Sequence, residues 1–93
     1  MEQIVKEVYD AIQCFIAFNL ITVDHNDTHV KVDPESGKRE FKILFYGLEP
    51  DAVCCMNALK NAMTGHVTEI KTRERTDFSQ NKILNVSMTI FEG

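Results

Sequence analysis

The sequence predicts an α+β fold: two helices packed on one face of a four- to five-stranded antiparallel sheet. Three observations predict it. Two stretches, 2–19 and 50–64, repeat apolar residues at helical spacing. Two others, 41–46 and 83–91, place an apolar residue at every second position, the period of a strand. The links between neighbouring strands are short, which requires antiparallel hairpins and leaves the helices to cover one face.

The first helix rests on Ile4, Val5, Val8, Ile12, Phe15 and Ile16, with Glu2, Lys6, Asp10 and Gln13 mostly opposite. Its early carboxylates, Glu2 and Glu7, suit the positive end of the helix dipole. In residues 21–32, Ile21 and Val23 occupy one parity and Val30 and Val32 the other, around the polar run Asp24-His25-Asn26-Asp27-Thr28. Such a flip requires a bulge or a hairpin; two short strands joined by a tight turn are expected. Asp33-Pro34-Glu35-Ser36-Gly37-Lys38 is the clearest turn, with Pro fixing φ early and Gly supplying a positive φ late.

The strand that follows places Phe41, Ile43 and Phe45 on one face, and Gly47 is expected to end it. Pro50 marks the start of the second helix, where a missing N–H costs nothing. Ala52, Val53, Met56, Leu59, Ala62 and Met63 trace its apolar side, and Gly65 is expected as its C-cap. Val67–Thr76 is polar apart from Val67 and Ile70, as an edge strand or hairpin arm would be. After a connection over 77–82, the last strand sends Leu84, Val86, Met88 and Ile90 one way.

Length and charge bound the function. With 93 residues the chain is expected to form one domain, residues 1–93. It can bury only about 60–65% of its unfolded surface, so its core is thin. The net charge of −4 makes nucleic acid an unexpected partner. Lys71, Arg73 and Arg75 form the one basic stripe, and the interspersed Glu69 and Glu74 suggest a solvated strand rather than a phosphate track. No apolar run is long enough for a membrane span, and no secretory signal opens the chain. Together with an odd count of three cysteines this points to an intracellular protein.

Catalytic and metal patterns are missing. Cys54-Cys55 lacks the C-x₂-C spacing of zinc and thiol redox sites, and Cys14 stands alone. All three also fit as small apolar residues in or near the core. His25 and His29 stand four apart beside Asp24 and Asp27, yet in a turn rather than on a helix. His66, at a helix end, suits the dipole there. No nucleophile elbow or Gly-rich phosphate loop occurs, and Asp33 and Glu35 lie on a turn without an apolar pocket. No enzyme, cofactor or metal site is expected.

What remains is a surplus of apolar residues. Leu44, Tyr46, Leu48, Phe78, Ile83 and Phe91 do not all fit one inward face, and a patch of this size marks a protein contact. The competing reading is that sheet edges and strand ends fold over them, since apolar atoms are common on surfaces.

Residues 41–91 resemble the second half of bacteriophage neck or tail-terminator (tail-completion) proteins. The shared features are the strand ending Phe45-Tyr46-Gly47, the helix containing Ala58-Leu59, the strand Val67–Ile70, the polar hairpin with Arg73-Glu74-Arg75, and the alternating last strand. The resemblance implies a non-enzymatic, ring-forming component, cytoplasmic or virion-associated. The same plan is similar to the permuted ferredoxin-like domains of pilus and type II secretion assembly proteins. The leading expectation is an assembly protein that self-associates. The rivals are a small inhibitor or regulator of one protein target, whose acidic balance would suit a basic partner, and a small-ligand or metal-binding domain.

Overall fold

The computed structural model describes residues 1–92. They form α1 (Glu2–Ala17), β1 (Ile21–Val23), a 3-10 turn (His25–Asp27), β2 (His29–Val32), β3 (Arg39–Leu48), α2 (Glu49–Ala62), β4 (Val67–Thr76) and β5 (Lys82–Phe91). The five strands make one antiparallel sheet in the order β1-β3-β5-β4, with β2 beside β3 and in line with β1.

Side-chain parity decides what the sheet presents on each side. Phe41, Ile43 and Phe45 of β3 pair with Ile90, Met88 and Val86 of β5, so all six point to one face, where they are buried. Ile4, Val8 and Ile12 of α1 and Ala52, Cys55 and Leu59 of α2 close over that face in a single core cluster. Each large apolar side chain buried there contributes about 1.5–3 kcal/mol against the entropy of ordering the chain.

Residues 21–32 do form two short strands, but these do not pair with each other. Both pair with β3: Val23 lies opposite Phe45 and His29 opposite Lys42. The 3-10 turn between them bulges from one interrupted edge strand, and so resets the parity. Ile21, Val23, Val30 and Val32 thereby share the helix side. Thr28 closes the bulge: its hydroxyl donates to the Asp24 carbonyl at 2.7 Å and accepts the Leu44 N–H at 3.1 Å.

The helix ends differ from expectation in instructive ways. α1 stops at Ala17 because Asn19 takes a left-handed φ of 57°. The Asn19 N–H then bonds the Ile16 carbonyl at 3.0 Å and the Leu20 N–H bonds that of Phe15 at 2.9 Å, a Schellman closure with Asn in place of Gly. Gly65 is not the cap of α2: the helix ends at Met63, whose N–H reaches the Leu59 carbonyl, and Gly65 lacks the positive φ that a capping glycine supplies.

Nor does Gly47 end its strand. It pairs with Ile21 on one side and Leu84 on the other, and β3 runs on to Leu48. Glycine is required for close approach instead, since a Cβ there would collide with the Leu20 carbonyl oxygen. Gly37 does turn the β2–β3 hairpin with φ 72°, while Asp33 accepts the Glu35 N–H at 2.9 Å. The opposite end of the sheet is tied to α1. Arg39 makes a two-pronged ion pair with Glu92, both contacts at 3.0 Å, and the Met1 amine joins it at 2.8 Å.

Candidate functional site: the open face of the sheet

Both helices lie on one side, so the other side of the sheet is uncovered. The same parity that buries Phe41, Ile43 and Phe45 turns Glu40, Lys42, Leu44, Tyr46 and Leu48 outward. On β5 the outward set is Ile83, Asn85, Ser87, Thr89 and Phe91. Five of the six residues singled out from the sequence therefore share one surface. Leu48 stands opposite Ile83, Tyr46 opposite Asn85, Leu44 opposite Ser87, and Phe91 opposite Glu40. Leu48 is 45% exposed and the other four are partly exposed.

Phe78 is apart from them. It sits in the β4–β5 loop, which Asp77 stiffens by accepting the N–H groups of Ser79 at 2.9 Å and Asn81 at 2.8 Å. Those bonds, that of Asn81 first, hold the Asp77 carboxyl below its ordinary value. The ring itself touches nothing that shields it, at 107% exposure. An ordered loop thus presents a bare phenyl ring at one end of the molecule.

The face has an apolar end and a charged middle. At the end, Tyr46, Leu48 and Ile83 line an open groove of about 320 Å³ together with Asp51, Arg75 and Asp77. The Arg75 guanidinium lies 5.3 Å from the centre of the Tyr46 ring and its Nε points to the Asn85 carbonyl oxygen at 3.5 Å. This stacking holds the tyrosine against the face of β4. A second groove of the same size flanks Phe91 at the opposite end, between it and the β2–β3 hairpin.

Strand parity also reveals a feature that the linear sequence hides. Lys71, Arg73 and Arg75 occupy odd positions of β4 and pair with Ser87, Asn85 and Ile83, so they stand in a row on the open face. Glu74 pairs with Leu84 and points to the helix side. Glu74 is therefore separated from the three cations, while Glu69, opposite Thr89, shares their face. The signal was present in the sequence as the shared parity of the three basic residues, and the strand is exposed along most of its length, as expected of a solvated edge strand.

Glu74 has a consequence of its own. Glu49, the first residue of α2, has a buried Oε2 without a hydrogen-bond partner. The neighbouring Glu74 carboxyl first, and desolvation second, raise the Glu49 carboxyl above its ordinary value of 4.5.

The remaining candidates separate by burial. Cys55 is fully buried and its thiol is pushed up to about 12, by desolvation first, so it is no nucleophile. Cys54 and Cys14 are exposed and free. His25 lies in the 3-10 turn and His29 on β2, both exposed. Among the described residues, no three His, Cys, Asp or Glu side chains come together as a metal would require. No helix is long and apolar enough to cross a membrane.

No known protein family and no curated protein matches the sequence. A solved structure from Akkermansia muciniphila, described as being without its transmembrane region, matches 96% of this chain with a TM-score of 0.40 and 14% identity. The match takes in 50% of that longer chain, and a likeness so shallow carries no argument about fold or function.

Proposed function

We propose that this protein is a non-enzymatic assembly component whose open sheet face binds another polypeptide, first of all a second copy of itself. The observation that carries this reading is the one-sided cover: both helices pack on one face, and Leu44, Tyr46, Leu48, Ile83 and Phe91 lie on the other, with Tyr46, Leu48 and Ile83 together at one end. Apolar residues gathered on one surface, with polar groups around them, are the usual anatomy of a protein contact. The absence of catalytic spacing from the sequence supports the same reading. A place in a virus particle as a tail-completion component is its more specific form, supported by the resemblance of residues 41–91.

Light scattering across roughly micromolar to millimolar protein tests it. The mass should rise above the monomer within that range. A mass that stays at 10.6 kDa throughout, with no protein partner recovered, contradicts the proposal.

A further inference from the structure

β4 is the one long free edge of the sheet. It pairs with β5 alone, whereas the opposite edge is split into β1 and β2 by the 3-10 turn. Every second residue along Val67–Thr76 therefore turns its N–H and C=O outward. Among the described residues, no turn or helix end bonds to the backbone of this strand. On the open face the edge is lined by Lys71, Arg73 and Arg75, which recur at alternate positions and so stand about 6.8 Å apart. All three are exposed, and none has an ion-pair partner, because the ion pairs among the described residues involve Lys6, Arg39 and the Met1 amine. Their neighbours across β5 are Ser87, Asn85 and Ile83, while the open-face carboxylates Glu40 and Glu69 lie toward the other end. Asp77, in the loop beyond Arg75, engages its carboxylate with the Ser79 and Asn81 N–H groups. Beside the row, a hollow of about 180 Å³ lined by Leu44, Lys71, Thr72, Arg73, Asn85 and Ser87 contains two cations and no carboxylate.

An unpaired edge is a template for a further strand, and a row of like charge decides which strand it admits. We infer that β4 accepts an acidic, extended polypeptide segment as a sixth strand of the sheet. Side chains on one face of such a segment repeat at the same spacing as the row, so Asp or Glu at alternate positions meets Lys71, Arg73 and Arg75 in turn. The hollow beside Lys71 and Arg73 leaves room for a carboxylate. A second copy of β4 fits poorly: in the antiparallel registers that use most of the strand, Lys71 would face Lys71 or Arg73 of that copy. A polynucleotide matches the charge but brings no peptide groups to the edge, and its unbroken phosphates would also meet Glu69. A polypeptide can set a neutral residue there. This contact lies on the edge of the sheet, apart from the self-association of its open face proposed above, and is tested separately.

Fluorescence anisotropy with a labelled peptide, Glu alternating with Thr and Val over the length of β4, tests it. The peptide should bind the wild-type chain at low salt and weaken at least about tenfold between roughly 50 mM and 500 mM salt, as screening shortens the reach of the charges. Replacing its Glu residues by Gln should cost at least about tenfold, and so should Lys71→Glu with Arg73→Glu in the protein. Methylating the peptide nitrogens that face β4 keeps every charge and removes the ladder, so binding should be lost. Amide exchange should slow along the outward edge of β4 when the parent peptide is bound.

Several results would overturn the inference. A parent peptide that does not bind at low salt, or that binds no better than its Gln form, removes the role of charge; both are read on the wild-type chain, so neither depends on whether the variant folds. A methylated peptide that binds as well as its parent removes strand addition. Oligothymidylate that binds more tightly than the peptide assigns the row to nucleic acid. Protection of the β4 edge that rises with protein concentration alone assigns it to a second copy.

Discussion

Gly47 is held so closely against the chain that leaves α1 that any side chain would collide with backbone, not with a movable side chain. Gly47→Ala should therefore cost about 1–3 kcal/mol, like other overpacked sites. A urea titration should show a lower midpoint with an unchanged slope. Glu49 is the opposite case, a residue whose ionised form is disfavoured. Its carboxyl is raised, so the folded state holds a proton that the unfolded state has released. Stability from this site is complete below 4.5 and is lost as pH rises through the folded value. Glu49→Gln should raise the melting temperature at neutral pH and leave it nearly unchanged at pH below 4.5; a lower melting temperature at pH 7 would contradict a raised carboxyl at this site. Glu92 and Asp33 act with the reverse sign. The Met1 amine and Arg39 hold Glu92 below its ordinary value, and the Glu35 and Ser36 N–H groups hold Asp33 below its own. Their contributions are present at neutral pH and are lost in acid.

At the scale of elements, the bulge between β1 and β2 depends on one hydroxyl. Thr28→Val keeps the shape but leaves the Leu44 N–H without its acceptor, in a partly buried site. A loss of about 1–3 kcal/mol is expected, with faster amide exchange at Leu44 and along β1; exchange as slow as in the wild type would show that Thr28 is dispensable. Most elements were legible in the sequence because their signals are periodic. The stripe of α1, the alternation of β5 and the Asp33–Gly37 turn each combine several residues that agree. Single-residue signals were less dependable. Gly47 and Gly65 both resemble terminators, yet glycine also serves where backbones meet, and Met63 ended α2 without one. Asn19 closed α1 because the left-handed conformation is open to it. The basic row on β4 was legible in principle, since strand parity alone separates Lys71, Arg73 and Arg75 from Glu74. The apolar candidates, by contrast, could be assembled into one surface only through the pairing of β3 with β5, which joins residues about forty positions apart.

The whole molecule is elongated, 46 × 23 × 19 Å, because ten-residue strands outrun the two helices laid across them. Four strands about 4.8 Å apart and about 33 Å long present roughly 600 Å² on the open side. Burying that area on each of two partners gives about 1,200 Å², the lower bound for a stable, specific interface. The face is therefore large enough to hold a partner, though only if nearly all of it is used. That requirement makes the account vulnerable to small changes at its apolar end. Leu48 and Ile83 sit opposite each other there and touch the core little, so Leu48→Asp with Ile83→Asp should leave the fold intact. Sedimentation velocity on this variant is the most direct test. The variant should sediment as a monomer at concentrations where the wild type is assembled, with the same circular dichroism; a variant that assembles as the wild type does would contradict the role of the open face.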